Sequence, residues 1–250
     1  MTVALETIAL QKRFGAIVAT NDVSFTIERG ARRALIGPNG AGKTTLINLL
    51  TGVETPTAGR VLLDGIDITA LPPHARVRLG MARTFQINQL FGDLTPLQTL
   101  GLAVSERMGG GTDWWRIAGS NPGVVEPIGE LIERFHLDGV MDAPTASLPY
   151  GKQRLLEIAL AIACAPRVLL LDEPAAGVPE AERQEILAAI AALPRDVTIL
   201  LIEHDMDLVF SFADRISVLV NGTLFAEGSP EEIAGNADVK AVYLGETADG

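Results

Sequence analysis

Short runs of apolar residues recur along the chain and predict β-strands. The early runs follow one another closely with turn residues between them, as in an antiparallel sheet at the edge of a fold. From residue 168 onward the runs alternate with helical patterns such as 181–193. Fully apolar strands that alternate with helices are typical of an α/β domain with a mainly parallel, buried sheet. The predicted strands are residues 4–10, 23–27, 33–36, 61–63, 168–171, 197–202 and 216–220.

The pattern changes between about residues 88 and 149, where the strand signals fade. Two helical patterns, 97–107 and 127–137, flank a glycine-rich stretch at 108–111. Helical periodicity on both sides of a glycine cluster is typical of helices joined by a flexible loop. The sequence therefore predicts a helical insertion within the α/β domain.

Composition limits the classes to which the chain can belong. Its 250 residues suffice for one domain with a sizeable insertion. Hydrophobic residues make up 48% and the mean hydropathy is +0.27, yet charges interrupt each apolar stretch before the roughly 18–20 residues that a membrane span needs. The N-terminal residues have neither the basic start nor the apolar core of an export signal, so we expect a cytosolic protein.

The charge balance bears on the partners. The chain has 20 basic and 31 acidic residues, a net charge of −11. Nucleic-acid binding depends on a basic surface that displaces counterions from phosphates, so this balance argues against DNA or RNA as the main ligand. The same acidity repels anionic lipid headgroups, and we expect contact with a membrane to go through a protein partner.

A glycine-rich segment joins the predicted strand 33–36 to a predicted helix that includes residues 46–50. It has the pattern G-x-x-x-x-G-K-T. Glycines allow successive backbone N–H groups to turn towards phosphate oxygens, and the helix N-terminus adds its dipole. An ordinary glycine turn does not require this strand–loop–helix context, so the pattern predicts a site for the phosphates of ATP. The loop residues are Gly37, Pro38, Asn39, Gly40, Ala41, Gly42, Lys43 and Thr44.

Side chains of the loop and of a second strand end provide the chemistry expected of an ATPase. Lys43 can reach the β and γ oxygens, and the Thr44 hydroxyl suits Mg²⁺. The buried strand 168–171 leads to Asp172 and Glu173, and the carboxyl ends of parallel strands are where such sheets bind ligands. We expect Asp172 to hold Mg²⁺ through water and Glu173 to polarise the attacking water. For either acid alone, a solvent-facing structural role is the alternative.

Two further residues are candidates on position alone. The strand 197–202 is followed by His204, which could reach the γ-phosphate from the neighbouring strand. Gln86 precedes the helical insertion and could bridge the metal ion, water and that insertion. A lone histidine is more often structural, and Gln86 by itself is undecided.

These motifs, in this order, resemble the nucleotide-binding subunit of ABC transporters over nearly the whole chain. The implied fold is a P-loop NTPase core, RecA-like and α/β, with an antiparallel β edge sheet and a helical subdomain. Residues 37–45, ending at Thr45, match the Walker A loop, and 168–172 match the Walker B strand. The resemblance implies these further roles: adenine stacking for Phe14, the Q-loop for Gln86, the catalytic base for Glu173 and the switch histidine for His204.

The resemblance also divides the chain. Residues 1–87 and 165–250 correspond to the nucleotide-binding core with its edge sheet, and 88–164 to the helical subdomain. The family signature L-S-G-G-Q aligns with 148–153, which precedes a nearly apolar helix at 155–163. Tyr150, Gly151 and Lys152 would present the N-terminus of that helix to ATP held by a second subunit.

Two departures from the family pattern lie where the second subunit would pack. In the family, two domains meet head to tail, ATP binding closes the pair and hydrolysis releases it. Here Pro149 replaces the signature serine, so one hydroxyl is missing, although the Gly151 N–H and the helix dipole remain. The segment 175–179, ending at Pro179, lacks the usual aspartate. One hypothesis is that the chain pairs with a different ATPase subunit, as a heterodimer instead of a homodimer.

Motifs outside the ATP site resemble the importer group for branched-chain amino acids. They are residues 13–15, 83–86, 172–177 and the C-terminal V-K-A-V-Y-L-G-E at 239–246. The resemblance implies integral membrane permease subunits as partners, indirectly a periplasmic solute-binding protein, and a place on the inner face of the cell membrane. Relatives carry urea, amides or aromatic acids, and lipopolysaccharide exporters have similar Walker regions, so the solute stays open.

The remaining alternatives concern surfaces and other classes. Residues 89–94 are the expected docking groove for the permease, although Leu90 and Phe91 could equally be core residues. Trp114 and Trp115 could be a partner contact or a hydrophobic plug. An ABC-type ATPase acting on nucleic acid would carry a coiled-coil or zinc insertion or a basic surface, and a non-catalytic regulator would not need Glu173 and His204.

Overall fold

The chain forms two compact units in the computed structural model, which describes residues 2–84, 90–109 and 122–246. The first unit comprises Met1–Met81, Arg167–Glu173 and Pro194–Gly250, and the second comprises Ala82–Pro166 and Pro174–Leu193. The second unit thus includes a segment after Glu173 that the sequence analysis assigned to the nucleotide-binding core. The boundaries of the helical subdomain at residues 88 and 164 remain a prediction.

The elements of the described ranges follow one another in this order. The strands are β1 Val3–Phe14, β2 Ile17–Glu28, β3 Arg32–Ile36, β4 Ala58–Leu63, β5 Ile66–Asp67, β6 Met81–Arg83, β7 Val168–Asp172, β8 Thr198–Ile202, β9 Arg215–Val220 and β10 Thr223–Gly228. The α-helices are α1 Lys43–Thr51, α2 Pro73–Arg78, α3 Pro96–Arg107, α4 Pro122–Arg134, α5 Tyr150–Ala163, α6 Glu180–Ala191, α7 Met206–Phe212, α8 Pro230–Gly235 and α9 Ala237–Glu246.

Two sheets build the first unit. The larger has the strand order β10-β9-β3-β8-β7-β6, in which β3 pairs in parallel with β8 and β9, and β7 with β8. In the described part of this sheet, β10 pairs with β9 in the antiparallel direction. The second sheet, β2-β1-β4-β5, is antiparallel. The predicted α/β class, with a mainly parallel sheet and a separate antiparallel sheet, is confirmed.

Apolar side chains cover both faces of the parallel sheet, which is why its strands lack polar alternation. Successive side chains of a strand point to opposite faces. In β3, Leu35 joins one core cluster, together with α1 and buried residues of the antiparallel sheet. Its neighbours Ala34 and Ile36 join a second cluster with Val209 of α7 and Ile233 of α8. Every side chain of a strand buried in this way must be apolar or have hydrogen-bond partners for its polar atoms.

Sequence periodicity missed some elements and displaced others. β6 and the edge strand β10 were not predicted, because the first is three residues long and the second, T-L-F-A-E-G, is neither continuously apolar nor regularly alternating. The helix predicted at 127–137 spans Pro122–Arg134, with Pro127 inside it. A proline usually marks the first turn of a helix. Here the buried stripe of Val124, Ile128 and Leu131 extends the helix to the N-terminal side of Pro127.

A buried arginine holds the C-terminus of α1. Arg76 is 1% exposed and its guanidinium donates to the carbonyls of Leu49 and Leu50, at 2.7 and 2.6 Å. It also donates to the carbonyls of Thr69 and Leu71 at 2.9 Å. Burial lowers the pKa of Arg76, and the charge of Asp67 opposes that shift. A cation at a helix C-terminus satisfies orphan carbonyls and complements the dipole.

We expect Arg76→Met to lower the free energy of unfolding by about 3 kcal/mol, because four carbonyls, two of them in buried hydrogen bonds, lose a donor. Urea unfolding followed by circular dichroism measures this change. Arg78→Met on the same helix is the matched control, since Arg78 is exposed. Equal effects of the two substitutions would contradict a capping role for Arg76.

In the second unit, α3, α4 and α5 pack against one another. A capping box begins α3: the Thr95 hydroxyl accepts from the Gln98 N–H, and the Gln98 side chain accepts from the Thr95 N–H. Helix α5 is buried along most of its length, and its buried Arg154 and Glu157 form an ion pair at 2.6 Å. No helix in the described ranges combines the length and hydropathy needed to cross a membrane.

Candidate functional site

The glycine-rich loop connects β3 to α1 within the first unit, as the sequence predicted. Gly40 and Gly42 have φ of +75° and +100°, a region that glycine adopts without steric cost. The first helical hydrogen bond runs from the Leu46 N–H to the Gly42 carbonyl at 2.8 Å. Asn39 in the loop and Thr44 at the helix start are exposed, and the backbone N–H groups and dipole of this helix start favour anions.

Neighbouring backbone leaves no room for a side chain at two loop glycines. A Cβ at Gly42 would lie 2.3 Å from the carbonyl oxygen of Ala19 in β2. A Cβ at Gly37 would lie 2.2 Å from the carbonyl oxygen of Leu219 in β9. Both distances are below any real Cβ contact, so both sheets of the first unit fix the position of the loop.

Lys43 is buried and folds back over the loop. Its ammonium group donates to the carbonyls of Gly37 and Pro38, at 2.5 and 3.0 Å. These acceptors hold a positive charge inside the curve of the loop. Because phosphate oxygens carry more negative charge than carbonyls, they would compete for the same ammonium group. The loop residues therefore fit the phosphates of a nucleotide.

A second group of side chains follows β7 and β8. Asp172 ends β7, is 5% exposed and lies opposite Ile202 in the ladder. Glu173 has φ of +46°, and its N–H donates to the Ile202 carbonyl at 2.9 Å. A left-handed conformation costs a residue other than glycine about 1 kcal/mol, and this hydrogen bond helps to hold it. The turn sets the direction of the Glu173 carboxyl group.

Glu173 and His204 meet in the structure. Glu173 Oε1 lies 2.5 Å from His204 Nε2, and which of the two carries the proton depends on the tautomer. His204 follows β8, and β8 lies between β3 and β7 in the sheet. Since these three strands are parallel, the phosphate loop, the His204 turn and the Asp172–Glu173 turn all lie at the same edge. That edge is where open parallel sheets bind ligands.

Phe14 lies at the end of β1 and is 46% exposed. The ammonium group of Lys12 is 4.8 Å from the ring centroid, which is within cation–π range. An exposed aromatic ring supported from one side offers its other face for stacking, the role that the family resemblance implies.

The signature segment belongs to the second unit, at the N-terminus of α5. Pro149 is the N-cap residue and makes no side-chain cap hydrogen bond. The N–H of Gly151 donates instead to Glu182 Oε2 of α6 at 2.7 Å. Sequence reasoning missed Glu182, which lies 31 residues away. The available signal was the missing N-cap hydroxyl, because an uncapped helix start needs an acceptor from elsewhere.

The neighbours of Gly151 are also tied to the segment that follows Glu173. The Tyr150 hydroxyl lies 3.5 Å from the Ala176 carbonyl. Lys152 donates to Glu185 at 2.7 Å and to the His136 carbonyl at 2.9 Å. These contacts give a physical reason why Pro174–Leu193 groups with the second unit.

Several predicted residues lie outside the described ranges. Gln86, Gln89, Trp114 and Trp115 are among residues 85–89 and 110–121, so their predicted roles stay predictions. In the expected docking groove, Phe91 is 69% exposed, whereas Leu90 is half-buried.

The expected metal ligands suit Mg²⁺ bound together with phosphates. Within the described ranges, no three His, Cys, Asp or Glu side chains cluster as a metal site. Mg²⁺ in nucleotide sites takes one or two protein ligands and completes its shell with phosphate oxygens and water. The exposed Thr44 hydroxyl and the Asp172 carboxylate at the strand edge fit this donor set.

The fold and the site together define an ATP-binding cassette. A family model described as ABC transporter matches residues 20–176, and a second, described as Branched-chain amino acid ATP-binding cassette transporter, matches 223–249. The chain belongs to the ABC transporter family, in the branch of branched-chain amino acid ATP-binding proteins. It is a transport-coupled ATP hydrolase of the ABC type.

Individual relatives are similar over almost their full length. The chain is 41% identical to the high-affinity branched-chain amino acid transport ATP-binding protein BraF of Pseudomonas aeruginosa, covering 97% of this chain and 98% of that protein. It is 41% identical to LivG of Escherichia coli, a protein of the same description, over 95% and 96%. A solved ABC transporter cassette in its ADP conformation is 30% identical, with a TM-score of 0.82 over 98% of this chain and 100% of that one.

Proposed function

We propose that this chain hydrolyses Mg²⁺-ATP to drive an importer of branched-chain or related amino acids. The observation that carries the proposal is the Glu173–His204 contact, at the sheet edge that also holds the phosphate loop. A carboxylate beside an imidazole can accept a proton from water and pass it on. The names of the relatives support the solute class.

The candidate site residues of the first unit have the following roles in this proposal. Phe14 stacks on the adenine, the loop from Gly37 to Thr45 surrounds the phosphates, and Lys43 neutralises their charge. Thr44 and Asp172 hold Mg²⁺. Gln86, outside the described residues, keeps the role of Q-loop metal ligand that the family resemblance implies. Glu173 activates the attacking water, and His204 contacts the γ-phosphate. The bound metal ion would draw charge from the phosphate oxygens.

The second unit supplies the other half of a shared site. Tyr150, Gly151 and Lys152 contact ATP bound to a second ATPase subunit, which in turn contacts the ATP of this chain. The pair works on the cytoplasmic side of the membrane, attached to integral permease subunits. Exposed Phe91 belongs to the surface that receives a permease helix. A periplasmic solute-binding protein delivers the solute to the permeases.

Uptake into proteoliposomes tests this function. The chain is purified from its own host together with its membrane partners, reconstituted with ATP inside the vesicles, and supplied with the solute-binding protein. We expect ATP-dependent uptake of radiolabelled leucine that stops when the chain carries Glu173→Gln. If the vesicles took up urea, an amide or an aromatic acid but no leucine, that compound would define the solute class instead of branched-chain amino acids. Outward movement of lipopolysaccharide would contradict import.

A further inference from the structure

We propose that the Glu182 carboxylate occupies the phosphate-binding position of the signature helix in the single subunit, and that it must leave before ATP can close a pair. The inference deepens the proposed function and rests on it, because it concerns the same signature half-site. It assigns to Glu182 the part of a built-in competitor of the γ-phosphate. The second molecule in the pair is a second copy of this chain.

The contact itself is direct and close. Glu182 Oε2 accepts the hydrogen bond of the Gly151 N–H at 2.7 Å. A Cβ on Gly151 would lie 2.3 Å from that oxygen and 2.9 Å from the Glu182 Cβ. The carboxylate therefore lies against the bare backbone of Gly151, in space that a side chain at this position would fill.

The Glu182 carboxylate and the γ-phosphate of ATP cannot both occupy the position next to the Gly151 N–H. Carboxylate and phosphate oxygens are both anionic, and both are favoured at a helix N-terminus. The single Gly151 N–H cannot donate at full strength to both, and two anions at one position repel each other. Pro149 contributes no hydroxyl, so the Gly151 N–H is a larger share of what the signature offers to a phosphate. Because ATP must displace the Glu182 carboxylate, closure requires a higher ATP concentration than it would without that carboxylate.

Helix α6 is held near α5 without help from this carboxylate. Lys152 pairs with Glu185, and the Glu182 N–H donates to the Pro179 carbonyl at 2.9 Å within the first turn of α6. The Glu182 side chain can therefore rotate away while its helix stays in place. The opposite role is that of a cap that orders the signature for ATP. The two roles predict opposite effects when the carboxylate is removed.

The experiment uses the full chain carrying Glu173→Gln, which we expect to bind ATP and to hydrolyse it at least about 100-fold more slowly. To this background we add Glu182→Gln, Glu182→Ala or the control Glu180→Gln. Glu180 lies in the same helical turn with its side chain 77% exposed, and its substitution removes the same charge without touching Gly151. Analytical ultracentrifugation measures the ATP concentration at which half of the chain has associated.

We expect Glu182→Ala to lower that ATP concentration about tenfold, in line with the loss of one hydrogen bond to a charged group. Glu182→Gln should lower it by less, and the control should change it less than about twofold. The difference should persist at about 0.5 M salt, because a direct contact is screened far less than a general charge effect. Thermal unfolding checks that each variant is folded. If Glu182→Ala does not fold, Glu182→Gln alone tests the inference.

Each other result has a distinct meaning. An equal or higher ATP requirement in both Glu182 variants would overturn the inference and show that Glu182 is a structural cap. ATP binding without association of any variant would overturn the inference while leaving ATP binding at the loop in place. Failure of the parent chain to bind ATP, measured by calorimetry, would refute the proposed function itself.

Discussion

Replacing Glu173 by glutamine should lower the rate of ATP hydrolysis at least about 100-fold and leave ATP binding intact. The amide keeps the shape of the side chain and can still form a hydrogen bond with His204, now 2.5 Å from Glu173 Oε1. It cannot accept a proton from the attacking water. Since the left-handed turn and the bond to the Ile202 carbonyl involve only the backbone, the substitution leaves both unchanged.

Phosphate release at saturating ATP measures the loss, and calorimetry measures the affinity. The ATP-bound pair should accumulate, because hydrolysis is the step that releases it. Glu130→Gln, at an exposed position of α4, is the control and should keep the parental rate. More than about a tenth of the parental rate in Glu173→Gln would show that another group activates the water, with His204 as the first candidate.

Replacing Lys43 by alanine should weaken ATP binding about 10- to 100-fold and abolish measurable turnover. The ammonium group is buried inside the curve of the loop, at 2.5 and 3.0 Å from two carbonyls. A hydrogen bond to a charged group contributes about 1.5–3 kcal/mol, which corresponds to this range of affinity. The loss also removes the positive charge that offsets the phosphates, and equilibrium titration with labelled ATP measures the effect.

Lys43→Met separates the charge from the packing of the aliphatic stem, which it retains. Both variants should bind ATP equally weakly if the charge is what matters. Lys240→Ala, on the exposed side of α9, controls for the loss of a positive charge elsewhere. Unchanged ATP affinity in both Lys43 variants would show that the phosphates do not bind at this loop.

The parallel sheet could be predicted because of its own chemistry. Residues 168–171 and 197–202 are apolar at almost every position, and a short apolar run of this kind has few stable places other than a strand covered on both faces. The phosphate loop after β3 could be predicted equally well, since G-x-x-x-x-G-K-T between a strand and a helix is typical of a phosphate-binding loop. These elements depend on local sequence alone.

Other features depend on neighbours that are distant in sequence. The predicted N-terminus of α4 was wrong. The prediction began the helix at Pro127, whereas the helix begins at Pro122 and Val124 packs in the core. The edge strand β10 exists because it pairs with β9, although its own side chains are half exposed. Arg76 looks like a surface residue in sequence, yet four carbonyls from two segments, 49–50 and 69–71, make its burial favourable.

By itself the sequence determined the class of fold, the phosphate loop and the acidic end of β7, because each follows from a short run of residues and its local geometry. Only the tertiary structure decided which groups touch: Glu173 with His204 across adjacent strands, and Gly151 with Glu182 across 31 residues. Such contacts depend on chain turns that bring strand ends and helix starts together, and no local pattern encodes their distances. The loop of Lys43 was visible in the sequence, whereas the competitor at the signature helix was not.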